Sequence, residues 1–159
     1  MPNTVATKIA TNSTRVKSKT SNSQNEFKLG ATGKRKASVA RVFISYATED
    51  IQHSISINSR TVEDFFSGVG RYVSKIKKPF LVSELDISKY CISVNVFGGG
   101  LTGCADSIML GISRVLAKMS ESSERSLKKA KLLTRDSRVV ESKKYGKRKA
   151  RRSEQFSKR

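Results

Sequence analysis

The feature that most limits how this chain can fold is the composition of its C-terminal end. Residues 125–159 contain 15 Lys or Arg and three acidic residues, and apolar residues almost vanish after Val140. Such a segment cannot bury enough apolar surface to offset the conformational entropy lost on ordering. We therefore expect a tail that becomes ordered only against a dense anionic surface, for which RNA is the leading candidate.

The positive charge is concentrated at the two ends of the chain. Of the net charge of +19, residues 1–41 contribute nine Lys or Arg against one acid, whereas residues 42–124 hold eight against nine. The middle is thus a near-neutral globular segment between two basic arms. Such arms attract polyanions, which include nucleic acids, acidic membranes and acidic proteins. A membrane partner is disfavoured, because residues 141–155 offer one Tyr and no Leu for an amphipathic helix.

Two cysteines and one histidine are too few for a disulfide framework or a metal centre. We interpret Cys91 and Cys104 as reduced, small apolar residues of an intracellular protein. His53 falls among alternating apolar positions, which favours a packed or edge-strand histidine over a catalytic one. The sequence predicts no metal, no cofactor and no catalytic residue.

Residues 1–29 are rich in Ser, Thr and Asn and contain no acid before Glu26. They lack the apolar core of a secretory signal. Two interpretations stay open. The segment is either a disordered extension that remains attached or an organellar transit peptide, since transit peptides are also basic, Ser-rich and acid-poor.

Two strands are predicted at the start of the middle segment. Residues 36–46 are rich in Val, Ile, Phe and Ala, and residues 51–58 alternate between apolar and polar positions. Both patterns are typical of strands. With a turn at Glu49 and Asp50, we expect the two strands to pair as a hairpin.

Helical patterns follow these strands. Thr61, with Asp64 three residues later, marks a helix start. The apolar spacing from Val69 predicts a second helix, which Pro79 should end. The remaining predicted elements are a strand over residues 90–96, a long helix over residues 101–119 and a short helix over residues 125–133.

The resulting order, β-β-α-α-β-α-α, predicts an α+β fold with helices packed on one face of a mixed sheet. We divide the chain into three parts. Residues 1–32 form a basic, Ser/Thr-rich extension that is disordered alone, residues 33–133 form an RNA-binding domain, and residues 134–159 form a basic tail.

A triple glycine at residues 98–100 separates the last predicted strand from the longest helix. A strand, a glycine-rich turn and a helix N-terminus together make an anion site, because free amides and the helix dipole face the turn. The sequence GGGLTG is neither a P-loop nor a dinucleotide fingerprint. Three interpretations stay open: a bare tight turn, a phosphate-binding enzyme of the small-molecule kinase type, and a turn whose amides meet an RNA backbone.

Two basic clusters are candidates for contact with RNA. The first precedes and enters the first predicted strand, and the second fills the tail, where each cation can neutralise a phosphate. Aromatic side chains there, Tyr145 and Phe156, offer faces for base stacking. The predicted RNA-binding residues of these clusters are Lys34, Arg35, Lys36, Arg41, Lys143, Lys144, Tyr145, Lys147, Arg148, Lys149, Arg151 and Arg152.

Several segments together resemble a known family. They are GKRKASVARV, INSRTVEDFF, KPF, VNVFGGGLTG, GISRVL, LLTRDSRVVE and KKYGKRKARRSEQFSKR, and they span residues 33–159 in order. In these segments the chain is similar to small-subunit ribosomal protein nine of the bacterial type. The TRDSR and terminal SKR segments are the most specific, because a generic basic tail would not contain them.

The resemblance implies an α+β fold with a left-handed βαβ crossover and a non-catalytic, non-homo-oligomeric protein. It implies docking on 16S-type rRNA and on neighbouring proteins in the head of the small ribosomal subunit. The terminal Ser157, Lys158 and Arg159 would approach the tRNA in the peptidyl (P) site. The resemblance also implies a bacterial cytoplasmic ribosome, or an organellar (mitochondrial) ribosome if residues 1–29 are a targeting segment. Further residues expected to contact RNA are Gly98, Gly99, Gly100, Thr102, Arg114, Arg135 and Arg138.

Some positions depart from the family pattern. Cys104 and Cys91 stand where the family usually has Gln and Asp, and Glu154 places a negative charge near the terminus. The Cys104 difference weakens any expectation of a polar RNA contact after Gly103. A generic DNA-condensing protein is a further alternative, but it does not explain the near-neutral centre.

Overall fold

The computed structural model describes residues 29–46 and 55–157. Predictions made for residues 1–28, for the turn at residues 49–50, for His53, and for Lys158 and Arg159 lie outside those residues. Among the helices of the described part, none is long and apolar enough to cross a membrane.

Five strands form one mixed sheet. They are β1 (Leu29–Arg35), β2 (Ser38–Tyr46), β3 (Ile55–Ile57), β4 (Arg60–Thr61) and β5 (Tyr90–Phe97). Their order across the sheet is β1-β2-β5-β3-β4. All neighbours are antiparallel except β3 and β5, which run parallel. This arrangement confirms the predicted α+β fold with a mixed sheet.

The predicted hairpin between residues 36–46 and 51–58 is wrong. β2 pairs instead with β1 on one side and β5 on the other, while the part of the second segment that is described, β3, pairs in parallel with β5. A short turn at Lys36, whose φ is +50°, joins β1 to β2. β1 begins four residues before the domain start that we predicted at Gly33.

Four α-helices accompany the sheet. They are α1 (Val62–Phe65), α2 (Gly70–Ser83), α3 (Leu101–Met119) and α4 (Glu121–Lys129). Thr61 caps α1 as predicted, because its hydroxyl accepts a hydrogen bond from the Asp64 amide. Pro79 does not end α2 but lies inside it and is buried. Packing of Pro79 and its neighbour Phe80 into the core offsets the hydrogen bond that proline cannot donate.

The short C-terminal helix also differs from its prediction. α4 begins at Glu121 rather than Arg125 and ends at Lys129, four residues before Leu133. Acidic residues in the first turn and lysines in the last turn favour these limits, because they complement the helix dipole.

The helices cover one face of the sheet, as predicted. In β5 the buried residues Tyr90, Ile92, Val94 and Val96 alternate with more exposed ones, as expected when one face is covered. α3 lies so close to β1 that a Cβ atom at Gly33 would be 1.9 Å from the Ser107 carbonyl oxygen. The handedness of the crossover from β3 through α1 and α2 to β5 stays a prediction.

Candidate nucleic-acid interface

The root of the tail is fastened to the body by Arg35, at the end of β1. Its guanidinium forms ion pairs with Asp136 (3.0 Å) and Asp106 (3.6 Å) and donates a hydrogen bond to the Arg138 carbonyl oxygen (2.7 Å). The Arg35 side chain is only 15% exposed. The sequence predicted that Arg35 binds RNA, but its N–H donors hold the start of the tail.

Asp136 and Arg138 form a second contact at this root. The Arg138 guanidinium donates to both Asp136 carboxylate oxygens, at 2.8 to 3.1 Å, and the Arg138 amide donates to the same carboxylate. These hydrogen bonds lower the pKa of the Asp136 carboxyl well below its usual range and raise the pKa of Arg138. The contact thus fixes the local conformation of residues 136–138, where the domain gives way to the tail.

A cleft of about 330 Å³ opens at the same place. Five cationic residues line it, together with the carboxylates of Asp106 and Asp136. The cations are Lys34, Arg35, Lys75, Lys131 and Arg138. Because cations outnumber carboxylates in its lining, the cleft favours an anionic group such as a phosphate. The structure therefore brings Lys34 and Arg35 of the first basic cluster together with Arg138 of the TRDSR segment.

Backbone conformation and close packing explain the glycines at residues 98 and 99. Gly98 and Gly99 adopt positive φ values of +68° and +72°, which favour glycine. A Cβ atom at Gly99 would lie 2.0 Å from the Ser38 hydroxyl. The same hydroxyl donates to the Gly98 carbonyl oxygen, and the buried Cys104 thiol packs beside both. Positive φ together with close packing, on the Ala37 carbonyl oxygen at Gly98 and on Ser38 at Gly99, accounts for two of the three glycines, and Ser38 also favours a small residue at position 104.

The next two predicted residues also make internal contacts. The Thr102 hydroxyl lies 3.2 Å from the Tyr72 hydroxyl. Arg114 donates to the Thr32 carbonyl oxygen (2.6 Å), and Lys118, one turn later on α3, donates to the Gly30 carbonyl oxygen (3.0 Å). Arg114 and Lys118 thereby bind the backbone of the edge strand β1, which blunts its tendency to pair with another chain.

Of the other cations of the first basic cluster, Lys34 lines the cleft, whereas Lys36 and Arg41 lie elsewhere on the body. Lys34 and Lys36 are exposed in β1 and in the turn that follows it, and Arg41 is exposed in β2 on the face opposite the helices. The Arg41 guanidinium lies over the Phe97 ring, 5.9 Å from its centroid. The cluster that precedes β2 is therefore split between two faces of the molecule.

The tail beyond Asp136 is almost fully exposed. The side chains of Val140, Tyr145 and Phe156 are 82%, 106% and 97% exposed. Glu141 pairs with Lys144 (3.4 Å) and Arg151 (3.1 Å) on the surface. Exposed pairs of this kind contribute little to stability, so phosphates can replace Glu141 at little cost.

The other predicted tail residues lie free on this surface. Among the described residues, no carboxylate pairs with the cations Arg135, Lys143, Lys147, Arg148, Lys149 and Arg152. Ser157 is exposed at the end of the described range. The tail therefore presents a row of unneutralised cations without a packed core beneath it.

Sequence reasoning missed two features of this interface. It did not foresee that Arg35 turns inward, although alternation along β1 puts Arg35 on the same side as the buried Gly33. It also overlooked Asp106, which pairs with both Arg35 and Lys75. The signal in the sequence was that Asp106 is a lone acid on a helix that faces a basic strand.

Comparison with known proteins gives a consistent result. The model of the family described as Ribosomal protein S9/S16 matches residues 33–159. Over 131 residues the chain is 45% identical to the small ribosomal subunit protein uS9 of Amoebophilus asiaticus and 46% identical to that of Cytophaga hutchinsonii, covering 82% of this chain and 98% of each relative. It is 44% identical over 132 residues to the uS9 protein of Rickettsia canadensis, covering 83% of this chain and 78% of the relative.

Proposed function

Because this chain belongs to the ribosomal protein S9/S16 family, we propose that it is a non-catalytic structural component of the small ribosomal subunit that binds 16S-type rRNA. The observation that carries the proposal is the exposed tail, whose cations outnumber acids and lack a core of their own. Each phosphate that a Lys or Arg neutralises releases condensed counterions, which drives binding. The rRNA supplies the anionic surface that such a tail needs.

The body acts as the anchor from which the tail starts. Arg35 fixes the direction in which the chain leaves α4, through its contacts with Asp136 and Arg138. The cationic cleft beside it gives the rRNA backbone a place to meet the body. Phosphate contacts of this kind set position and orientation and do not read sequence.

Matched substitutions in the tail and on the body test rRNA binding. Lys147→Gln with Lys149→Gln should weaken binding to an rRNA fragment from the subunit head and reduce the slope of log K against log salt by about two. Lys77→Gln with Lys78→Gln removes the same charge from exposed positions of α2 and should leave the slope unchanged. An equal loss in both double variants would show that net charge alone drives binding, and it would contradict a tail-specific contact.

The end of the tail is proposed to contact P-site tRNA. The support is the match of Ser157, Lys158 and Arg159 to the terminal segment of the family and their distance in sequence from the body. Deleting these three residues should leave subunit assembly intact but weaken P-site tRNA binding, more so at raised salt. Unchanged tRNA affinity in filter binding with the truncated subunits would contradict the proposal.

A phosphate-binding enzyme that uses the turn at residues 98–100 is the alternative. Positive φ and close packing against Ala37 and Ser38 already explain Gly98 and Gly99, so no nucleotide is needed to account for the turn. Calorimetric titration of the full chain with ATP separates the two functions. We expect no heat of binding, and saturable binding followed by turnover would favour the enzyme.

The ribosome is proposed to be that of a bacterial cytoplasm, because the relatives with 40% identity or more named above are bacterial proteins. An organellar ribosome would require removal of the N-terminal segment on import. Sequencing the N-terminus of the protein from purified ribosomes distinguishes the two. A start within residues 1–3 fits the bacterial site, and a start near residue 29 fits the organellar one.

A further inference from the structure

The face of the sheet opposite the helices bears a compact set of aromatic, basic and polar side chains. The strand register places Arg41 beside Asn95, and Phe43 beside Ser93, on neighbouring strands β2 and β5. Phe97 follows Asn95 by two residues and therefore lies on the same face. None of the four helices that the structure describes packs over these exposed residues.

Two rings on this face are available for stacking. Phe97 is 59% exposed and Phe43 is 39% exposed. Phe43 leans across β1 at Gly30, where a Cβ atom would lie 3.0 Å from the ring. Phe43 lies within β2 and Phe97 ends β5, and each leaves apolar surface in contact with water. A ligand that covers both rings would remove that surface from water.

The charge of the face indicates the kind of ligand. Arg41 lies over Phe97, and no carboxylate pairs with it among the described residues. Lys34 follows two residues after Thr32, which is the neighbour of Arg41 in β1, and adds a second cation. Residues 1–28 carry five Lys or Arg and one acid, so they have the same sign of charge and are not attracted to the face. An anionic partner is favoured.

We propose that this open face binds unpaired RNA nucleotides, with one base stacked on Phe97 and another base of the same strand on Phe43. Arg41 neutralises a phosphate between them, and Asn95 and Ser93 offer hydrogen bonds to base edges. Aromatic side chains on a sheet favour single strands, because bases within an A-form duplex cannot reach them. The inference rests on the proposed rRNA-binding function and adds a surface that is separate from the tail and borders the cleft at Lys34.

Binding of two labelled RNAs to the full chain tests this surface. The probes are a 12-nucleotide oligouridylate and a 12-base-pair RNA duplex, measured by fluorescence anisotropy. Phe97→Leu should weaken oligouridylate binding about five- to tenfold and leave duplex binding unchanged, because it removes a stacking partner and no charge. Arg41→Gln should lower the salt slope by about one. Leu81→Ala removes a side chain that is 74% exposed on α2 and serves as the control.

Crosslinking locates the contact independently. Oligouridylate containing 4-thiouridine should crosslink to Phe43 or Phe97 after irradiation, in addition to the tail. Phe43→Leu is a second variant, and matching thermal midpoints for each variant and the wild type exclude misfolding.

Several outcomes would overturn the inference. They are crosslinks confined to the tail, an oligouridylate affinity that Phe97→Leu leaves unchanged, and an equal loss on the duplex. Self-association that Phe97→Leu abolishes would assign the face to a second copy. Loss of assembly into the subunit without crosslinks in β2 or β5 would assign it to a neighbouring protein. Failure of the wild type to bind any rRNA would instead contradict the proposed function itself.

Discussion

The body and the tail of this protein are stabilised in different ways. In the body, Ile76, Ile108 and Leu127 are among many side chains with no exposed surface, packed between the sheet and the helices. After Leu132 no large side chain of the described tail is buried, and the Tyr145 and Phe156 rings are open to water. One chain thus combines a domain that its own core stabilises with a segment that becomes ordered only on a binding partner.

The two regions meet at a small set of charged contacts. Arg35 links the end of β1 to Asp106 in α3 and to Asp136 in the tail. Among the described residues, the contacts that join Asp136 and Arg138 to the body are ion pairs and hydrogen bonds. Such contacts stabilise less than the burial of a whole apolar side chain. Substitutions should therefore lower the free energy of unfolding most in the core and least in the tail.

Gly33→Ala should cause the largest loss of stability in the body. The added Cβ would meet the backbone of α3, where neither the Ser107 carbonyl nor the Gly111 amide can move without shifting the helix. We expect a loss of about 3 kcal/mol or more in the free energy of unfolding, measured by urea denaturation. Gly70→Ala, at the start of α2 with open space around it, is the matched control and should change stability by less than about 1 kcal/mol. Similar losses in both variants would contradict the close packing of β1 on α3.

Leu127→Ala should have the next largest effect. Leu127 is fully buried and fixes α4, from which the tail starts. Removing its side chain leaves a cavity and should cost about 2–3 kcal/mol in the same measurement. Leu81→Ala, which truncates an exposed leucine, should stay within about 0.5 kcal/mol. A negligible loss for Leu127→Ala would mean that α4 belongs with the tail rather than with the body.

Arg35→Gln tests the link between the body and the tail. It should cost about 1.5 kcal/mol, because it removes hydrogen bonds to a charged partner and two partly buried ion pairs. The Arg138 amide, which donates to the Asp136 carboxylate, should exchange faster, while the amides of β5 keep their protection. Arg125→Gln removes an exposed pair with Glu121 and is the control, with an expected loss below about 0.5 kcal/mol. Unchanged exchange at residues 136–138 would show that Arg35 does not hold the tail.

The smallest effect concerns pH. Arg138 holds the pKa of the Asp136 carboxyl below its usual range, so the folded chain binds that proton less readily than the unfolded chain. The contact therefore contributes its full stability above the unfolded pKa of about 3.9 and loses it as pH falls through the lowered value. The carboxyl carbon shift of Asp136 should titrate below the usual range. Arg138→Gln should return it toward that range, whereas Arg135→Gln should not. A usual Asp136 pKa in the wild type would contradict the contact.

The sequence predicted elements that are fixed by their own pattern. α3 was predicted at its observed limits, because its apolar stripe runs for 19 residues after a glycine turn. β1 was missed because close approach to α3 requires Gly33, and a glycine-rich strand has little apolar alternation. The hairpin prediction failed because β2 forms its local hairpin with the missed β1, and its other edge pairs with the distant strand β5, which separates it from β3.

The candidate site was predictable in composition but not in geometry. Exposed tail cations such as Lys147 and Arg148 follow directly from their density in a segment without apolar residues. Lys34, Arg35 and Lys36 read as one cluster, yet strand alternation sends Arg35 inward and leaves the two lysines exposed. Sequence gives the charge of such a cluster, whereas its direction depends on the register of the sheet.

Hydrogen exchange of the full chain, with and without an rRNA fragment from the subunit head, shows whether the tail becomes ordered only on RNA. Without RNA, amides of β2, β5 and α3 should be strongly protected, and those of residues 141–157 should exchange at the rates of an unstructured peptide. Adding the rRNA should protect the tail, whereas the amides of β2, β5 and α3, which are already protected, should change little. Protection of residues 141–157 in the absence of RNA would contradict the account.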